Sequence, residues 1–152
     1  MMIPIATLLG RYRAGCFPMA VDGGIGWFSP DRRGVIPLDR FTVPRRLARS
    51  LRQGRFHCTV NRSFRDVITA CASRVDDRGD WIDEHILESY CELHEAGHAH
   101  SVEVWDEDRL AGGLYGVSLR GAFFGESMFH SVRDASKVAL CFLVTRLLER
   151  GF

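Results

Sequence analysis

Three groups of residues in this sequence have the types and spacing to do chemistry. The first is HEAGH, residues 94 to 98. It matches the H-E-x-x-H pattern, in which two histidines one helical turn apart hold zinc and the glutamate acts as general base. That chemistry needs both rings on one helical face. Gly97 stands where a helix is expected to end, and AHSVEVW then alternates like a strand. His98 therefore leaves the face that His94 occupies, and no third ligand follows at the usual spacing. A zinc hydrolase built on His94 and His98 is the weakest of the readings; His98 and His100 are expected as hydrogen-bonded structural residues, and no metal is expected.

The second is Glu126, within GAFFGESMFH, residues 121 to 130. Phe123, Phe124, Met128 and Phe129 describe a strand made for a dry interior, where an unpaired carboxylate neutralises or finds a partner. Alternation puts Phe124, Glu126 and Met128 on one face, and Phe123, Gly125 and Ser127 on the other. Two explanations stay open: a structural ion pair, or a carboxylate held in an apolar pocket to meet an amine. The third group is Arg45, Arg46, Arg49 and Arg52, crowded on one short helix. Such a cluster neutralises several phosphates and makes binding salt-dependent, although a merely solvated face has the same composition. No G-x-S-x-G elbow and no phosphate-binding loop occur. The glycines of GGLYG, residues 112 to 116, suit a bulge or a close backbone approach by a ligand.

The elements that must carry these residues follow from periodicity. A short helix is expected over 5–14, after which GCFPMA turns the chain, and the Gly- and Pro-rich stretch 22–38 reads as turns joining short strands. VPRRLARSLRQG reads as a helix with Pro44 in its first turn, Gly54 past its end, and Leu47 and Leu51 as its apolar seam. RFHCTV is a strand. Ser63 is expected to cap a helix that buries Phe64, Val67, Ile68 and Cys71. SRVDDRGD is expected as an exposed loop. Asp83 caps the next helix, with Ile86, Leu87, Tyr90 and Leu93 inward and Gly97 at its stop. Three hairpin-linked strands and a last helix from Asp134 complete an α+β pattern.

At 152 residues the chain is long enough for one good core, or a domain with a small appendage. Net charge is only +1, but it is divided. From Arg32 to Arg74 eleven arginines face two aspartates, a balance of +9. From Val75 to Gly112 twelve acids face two arginines, a balance of −10. Two surfaces for unlike partners would produce this, as would segregated solvated faces. Five widely spaced cysteines without a C-x-x-C pair suit reduced thiols in a cytoplasmic protein, and no signal peptide or membrane span is expected.

GCFPMA, CAS followed by Trp81 and Ile82, LHEAGHAHSVEVW, GGLYGV, FFGESMF and DASKVAL, in this order and spacing, resemble leucyl/phenylalanyl-tRNA–protein transferases over about Leu8 to Phe152. The resemblance implies a cytoplasmic enzyme, acting as a monomer without coenzyme A, metal or other cofactor. Such an enzyme moves Leu, Phe or also Met from aminoacyl-tRNA to the N-terminal Arg or Lys of proteins, marking them for N-end-rule degradation. It implies a small N-terminal domain, here 1–34, on a GCN5-related acyltransferase-like (GNAT-like) domain, here 35–152, with a mainly antiparallel sheet. By motif, the amino-acid pocket maps onto Leu114, Phe123, Glu126 and Leu143, and the site for the terminal adenosine onto Met19 and Trp81. Met19 departs from the tryptophan many members carry, and Phe124 from a smaller residue in some. Arg45, Arg46, Arg49 and Arg52 suit the tRNA backbone, and the acidic segment suits a peptide beginning with a cation. Members continue past ERGF into an Asp-x-Gln segment to which the family's proton relay is attributed, so no catalytic residue of that kind is expected within this chain. A C-terminally incomplete domain with an open sheet edge and poor activity is expected, and a remnant that binds tRNA or peptide without catalysis is the alternative.

Overall fold

The computed structural model describes residues 1–73 and 81–152, and the loop expected at 73–80 lies, Ser73 apart, outside them. The chain opens with helix α1 (Ile5–Arg13), whose Leu8, Leu9 and Tyr12 fall on one face and are buried. Gly15, at φ +80°, turns it into a hairpin of β1 (Phe17–Val21) and β2 (Gly24–Phe28). Where a plain turn was expected, Phe17 to Val21 pair as a strand across an Asp22–Gly23 turn with φ positive at both residues, as tight hairpins require. A single 3₁₀ turn (Leu38–Arg40) leads to α2 (Arg45–Arg52).

The main body is a four-stranded antiparallel sheet in the order β3 (Phe56–Val60), β4 (Ala99–Asp106), β5 (Arg109–Leu119), β6 (Ala122–His130). Helices α3 (Phe64–Ala72) and α4 (Glu84–Glu95) cover one face together with α1 and the hairpin. Helix α5 (Ala135–Glu149) and α2 cover the other. The architecture is α+β, as the pattern of elements predicted. Strands β3 and β6 are the edges of the sheet among the described residues. No helix among them is long and apolar enough to cross a membrane.

Two apolar clusters result, one on each face. The first gathers Tyr12, Phe64, Ile68, Ile86, Tyr90, Tyr115 and Phe129; the second gathers Leu47, Val102, Val104, Leu114, Val138 and Leu143. Strand β5, buried from Ala111 to Val117, serves both. Its glycines allow that sandwiching. A Cβ on Gly112 would lie 2.6 Å from that of Ala135, and one on Gly116 would meet the Phe124 carbonyl at 2.2 Å. The close approach expected for a ligand at GGLYG is thus made by α5 and by β6 itself.

Two local expectations change. Leu51 is 39% exposed, so Leu47 alone anchors α2. Ser63 precedes α3, but its side chain makes no capping bond. Its backbone N–H instead donates to Glu103 Oε1 at 3.3 Å, and the Arg62 N–H to Glu103 Oε2 at 3.3 Å. Glu103 is fully buried on β4 and also accepts from Thr59 and Ser101 hydroxyls. A strand carboxylate therefore fixes the two residues that lead into α3, its oxygens satisfied by four donors.

Candidate functional site

Glu126 decides where the site is. Strands β5 and β6 pair Tyr115 with Ser127 but Gly116 with Gly125, so Glu126 is the extra residue of a bulge. The bulge reverses the alternation expected for this strand. Phe124, ahead of it, packs with the α1–α3–α4 cluster, whereas Met128, after it, packs with α5. Phe123 joins the α5 side. Phe124, Glu126 and Met128 therefore do not share one face. A two-residue period cannot hold through an inserted residue.

Released from the pleat, the Glu126 side chain reaches the N-terminal helix. Tyr12 Oη donates to Glu126 Oε1 at 2.6 Å, and the Tyr12 and Tyr90 hydroxyls are in short hydrogen-bond contact. Aromatic rings brace these phenols. Tyr12 meets Phe124 edge-on at 5.3 Å, Tyr90 meets Tyr115 at 5.6 Å, and Tyr115 meets Phe64 at 5.8 Å. No basic side chain forms an ion pair with Glu126 among the described residues. Arg33, held to the Gly15 carbonyl and stacked on Phe17, favours its charge through space only. Burial pushes the Glu126 carboxyl up to about 7, opposed by donation from Tyr12, the Arg33 charge and the nearby Tyr90 phenol. Burial likewise drives the Tyr12 and Tyr90 phenols well above their ordinary range, so both remain proton donors.

The other residues singled out from sequence fall into three places. Leu114 and Leu143 are buried in the α5-side cluster with half-buried Phe123 against them. Trp81, half-buried, packs on the opposite cluster, and its carbonyl accepts from the Ala20 N–H at 3.0 Å, so the strand carrying Met19 lies beside it. Glu126, on the edge strand, turns to the side of Tyr12 and Trp81, whereas Leu114, Leu143 and Phe123 belong to the other side of the sheet. Arg45, Arg46, Arg49 and Arg52 are all exposed on α2. Arg46 lines a cleft of about 220 Å³ with Ser50, Gln53, Arg55, Phe56, Arg133 and Asp134.

The histidines go elsewhere. His94 stacks on Phe64 at 4.3 Å between centroids, with its Nδ1 2.8 Å from the Ala99 carbonyl. His100 Nδ1 lies 3.0 Å from Asn61 Nδ2. Among the described residues no group of three or more His, Cys, Asp or Glu side chains is arranged to hold a metal. The sequence reading missed Tyr12 and Tyr90. Tyr12 follows Leu8 by four residues and reads as helix core; its partner lies 114 residues away, a separation no local pattern reports.

A family model described as leucyl/phenylalanyl-tRNA protein transferase matches residues 35–152, and one described as the N-terminal domain of that protein matches residues 1–31. A leucyl/phenylalanyl-tRNA–protein transferase of Rhodopseudomonas palustris (strain TIE-1) is 56% identical over 150 residues, covering 96% of this chain and 67% of the relative. That of strain BisB18 is 55% identical, covering 96% and 65%. That of Phenylobacterium zucineum (strain HLK1) is 56% identical, covering 95% and 67%. The chain spans about two thirds of the length of the curated relatives it matches.

Proposed function

Because the chain belongs to the leucyl/phenylalanyl-tRNA–protein transferase family, we propose that it transfers leucine or phenylalanine from aminoacyl-tRNA to a protein amine, with Glu126 as the acceptor for the ammonium of the bound aminoacyl group. The acceptors on this reading are proteins beginning with Arg or Lys, destined for degradation in the cytoplasm. The observation that carries it is the bulge at Glu126. It lifts a carboxylate with no cationic partner among the described residues out of the pleat, next to an apolar strand edge, and braces it with Tyr12.

The chemistry is undemanding. An aminoacyl ester is already activated, so holding an amine at its carbonyl supplies much of the rate enhancement, and a proton must leave the amine as it attacks. On this proposal the amino-acid side chain sits at the β6 edge over Phe123, Leu114 and Leu143, and the terminal adenosine lies against Trp81 and Met19. Apolar walls accept leucine and phenylalanine alike, since such pockets discriminate only modestly between side chains of similar size. The backbone phosphates run over Arg45, Arg46, Arg49 and Arg52. The division into 1–34 and 35–152 belongs to the same proposal.

The test is transfer of radiolabelled phenylalanine from charged tRNA to an Arg-initiated protein, by the wild type and by Glu126→Gln. Transfer that falls at least tenfold in the variant supports the assignment; transfer unaffected by it overturns the role of Glu126. Wild-type tRNA binding without transfer would instead favour a non-catalytic binding protein.

A further inference from the structure

Behind Glu126 runs a chain of two phenol hydroxyls, Tyr12 and then Tyr90. Each phenol has one proton to donate. Tyr12 gives its proton to Glu126 Oε1, so in its contact with Tyr90 it is the acceptor and Tyr90 the donor. Both protons then point toward the carboxylate. The opposite polarity would begin with a protonated Glu126 donating to Tyr12 and would leave the Tyr90 proton in need of another acceptor. The nearest phenol beyond it, Tyr115, is fully buried and has no hydrogen-bond partner among the described residues. An unmade bond at such depth is expensive. The hydroxyl chain is thus satisfied in one direction, the one in which Glu126 Oε1 accepts, and a donated hydrogen bond favours the charged carboxylate.

We propose that Tyr90 is a positioning residue for the amine-binding carboxylate: it touches no substrate, but by donating to Tyr12 it commits the Tyr12 proton to Glu126 and so orients that side chain and favours its charged form. This rests on the reading that Glu126 receives a substrate ammonium. Tyr90 is 0% exposed and Tyr12 is 4% exposed, so substrate contact falls to Glu126 alone. The groups acting on the carboxylate are Tyr12 from α1, Arg33 from the loop after β2 and Tyr90 from α4, with the Tyr115 phenol of β5 also in its field. Arg33 is the only permanent charge among these four, and Tyr12 donates the hydrogen bond. Edge-on packing against Tyr115 keeps the Tyr90 ring from turning away. Such supporting contacts hold a binding group to the tolerance that recognition needs.

The experiment compares binding of phenylalaninol, whose amine stays protonated through neutral pH, with amine-free phenylpropanol. The 152-residue chain, its Tyr90→Phe variant and its Tyr12→Phe variant are titrated from pH 5.5 to 8.5. The wild type is expected to prefer the amine, with the preference appearing around the carboxyl midpoint of about 7. In Tyr90→Phe the midpoint should rise by about one pH unit, which lowers the ionised fraction at pH 7, and with it the preference, about fivefold. Tyr12→Phe should shift it at least as far, and it carries the test should Tyr90→Phe fail to fold in a urea titration. A wild type indifferent to the amine overturns the assignment of Glu126 itself. An amine preference whose midpoint is unmoved in Tyr90→Phe, or in Tyr12→Phe should the former not fold, overturns the positioning role alone.

Discussion

A carboxyl that titrates near 4.5 in water and at about 7 in the fold makes Glu126 a group that costs stability in order to be charged. The sign follows from proton counts. Between those two values the folded chain keeps a proton that the unfolded chain has released, so stability falls as pH rises through that window. The contribution is fully present below about 4.5 and lost above about 7. Its size is at most roughly 3 kcal/mol, reduced by the part of the group that remains in contact with water. Glu126→Gln removes the titration while keeping the shape. Urea midpoints should therefore be close to wild type at pH 4.5 and higher than wild type at pH 8, the same change that abolishes amine recognition. Loss of stability at pH 8 in this variant would show that the charged carboxylate is structural.

At the scale of elements, the two helices expected to start at side-chain caps are held differently. Asp83 Oδ1 accepts from the Ile86 N–H at 2.8 Å, an ordinary cap, and Asp83→Ala should cost about 1 kcal/mol. Ser63→Ala should be nearly neutral, because its side chain makes no capping bond and its backbone N–H keeps Glu103 as acceptor. Glu103→Ala strands four donors around a cavity and should cost about 3 kcal/mol or more. Chemical denaturation of the three variants separates these cases. Gly116→Ala belongs here too: its methyl group would enter the Phe124 carbonyl and the Phe123 ring, forcing apart the strand pair whose bulge presents Glu126. A loss of about 1–3 kcal/mol is expected, accompanied by weaker amine binding, since bulge and carboxylate move together.

Across the whole molecule, the segregated charge has a simple mechanical reading. Helix α2 is pinned to the α5 side through Leu47 alone and leaves its four arginines in solvent, beside the cleft that Arg46 shares with Arg133. Reversing Arg45, Arg46 and Arg49 to glutamate should weaken tRNA binding tenfold or more at moderate salt. It should also flatten the plot of log affinity against log salt, by about 0.7 to 0.9 for each phosphate that is no longer neutralised. An unchanged slope would place the RNA elsewhere. The acidic segment behaves less simply than its sum suggests: Glu103 is an internal acceptor, Glu88 pairs with Arg65 and Asp106 with Arg55. Part of that negative charge is structural and is not available to a cationic peptide.

The sequence alone determined the five helices, the strands β3 to β6 and their order, the burial of α3 and α4, the Asp83 cap, and the family to which the chain belongs. These depend on local periodicity, turn chemistry and ordered motifs, all written in consecutive residues. The tertiary structure decided which way Glu126 faces and what holds it. One inserted residue at the β5–β6 bulge shifts the phase of a strand without changing its composition, and Tyr12 and Tyr90 become its partners only when α1 and α4 pack on the same face of the sheet. The same holds for Glu103, where a strand carboxylate fixes the two residues that lead into α3. Pairings of this kind depend on distances in space that sequence separation does not encode.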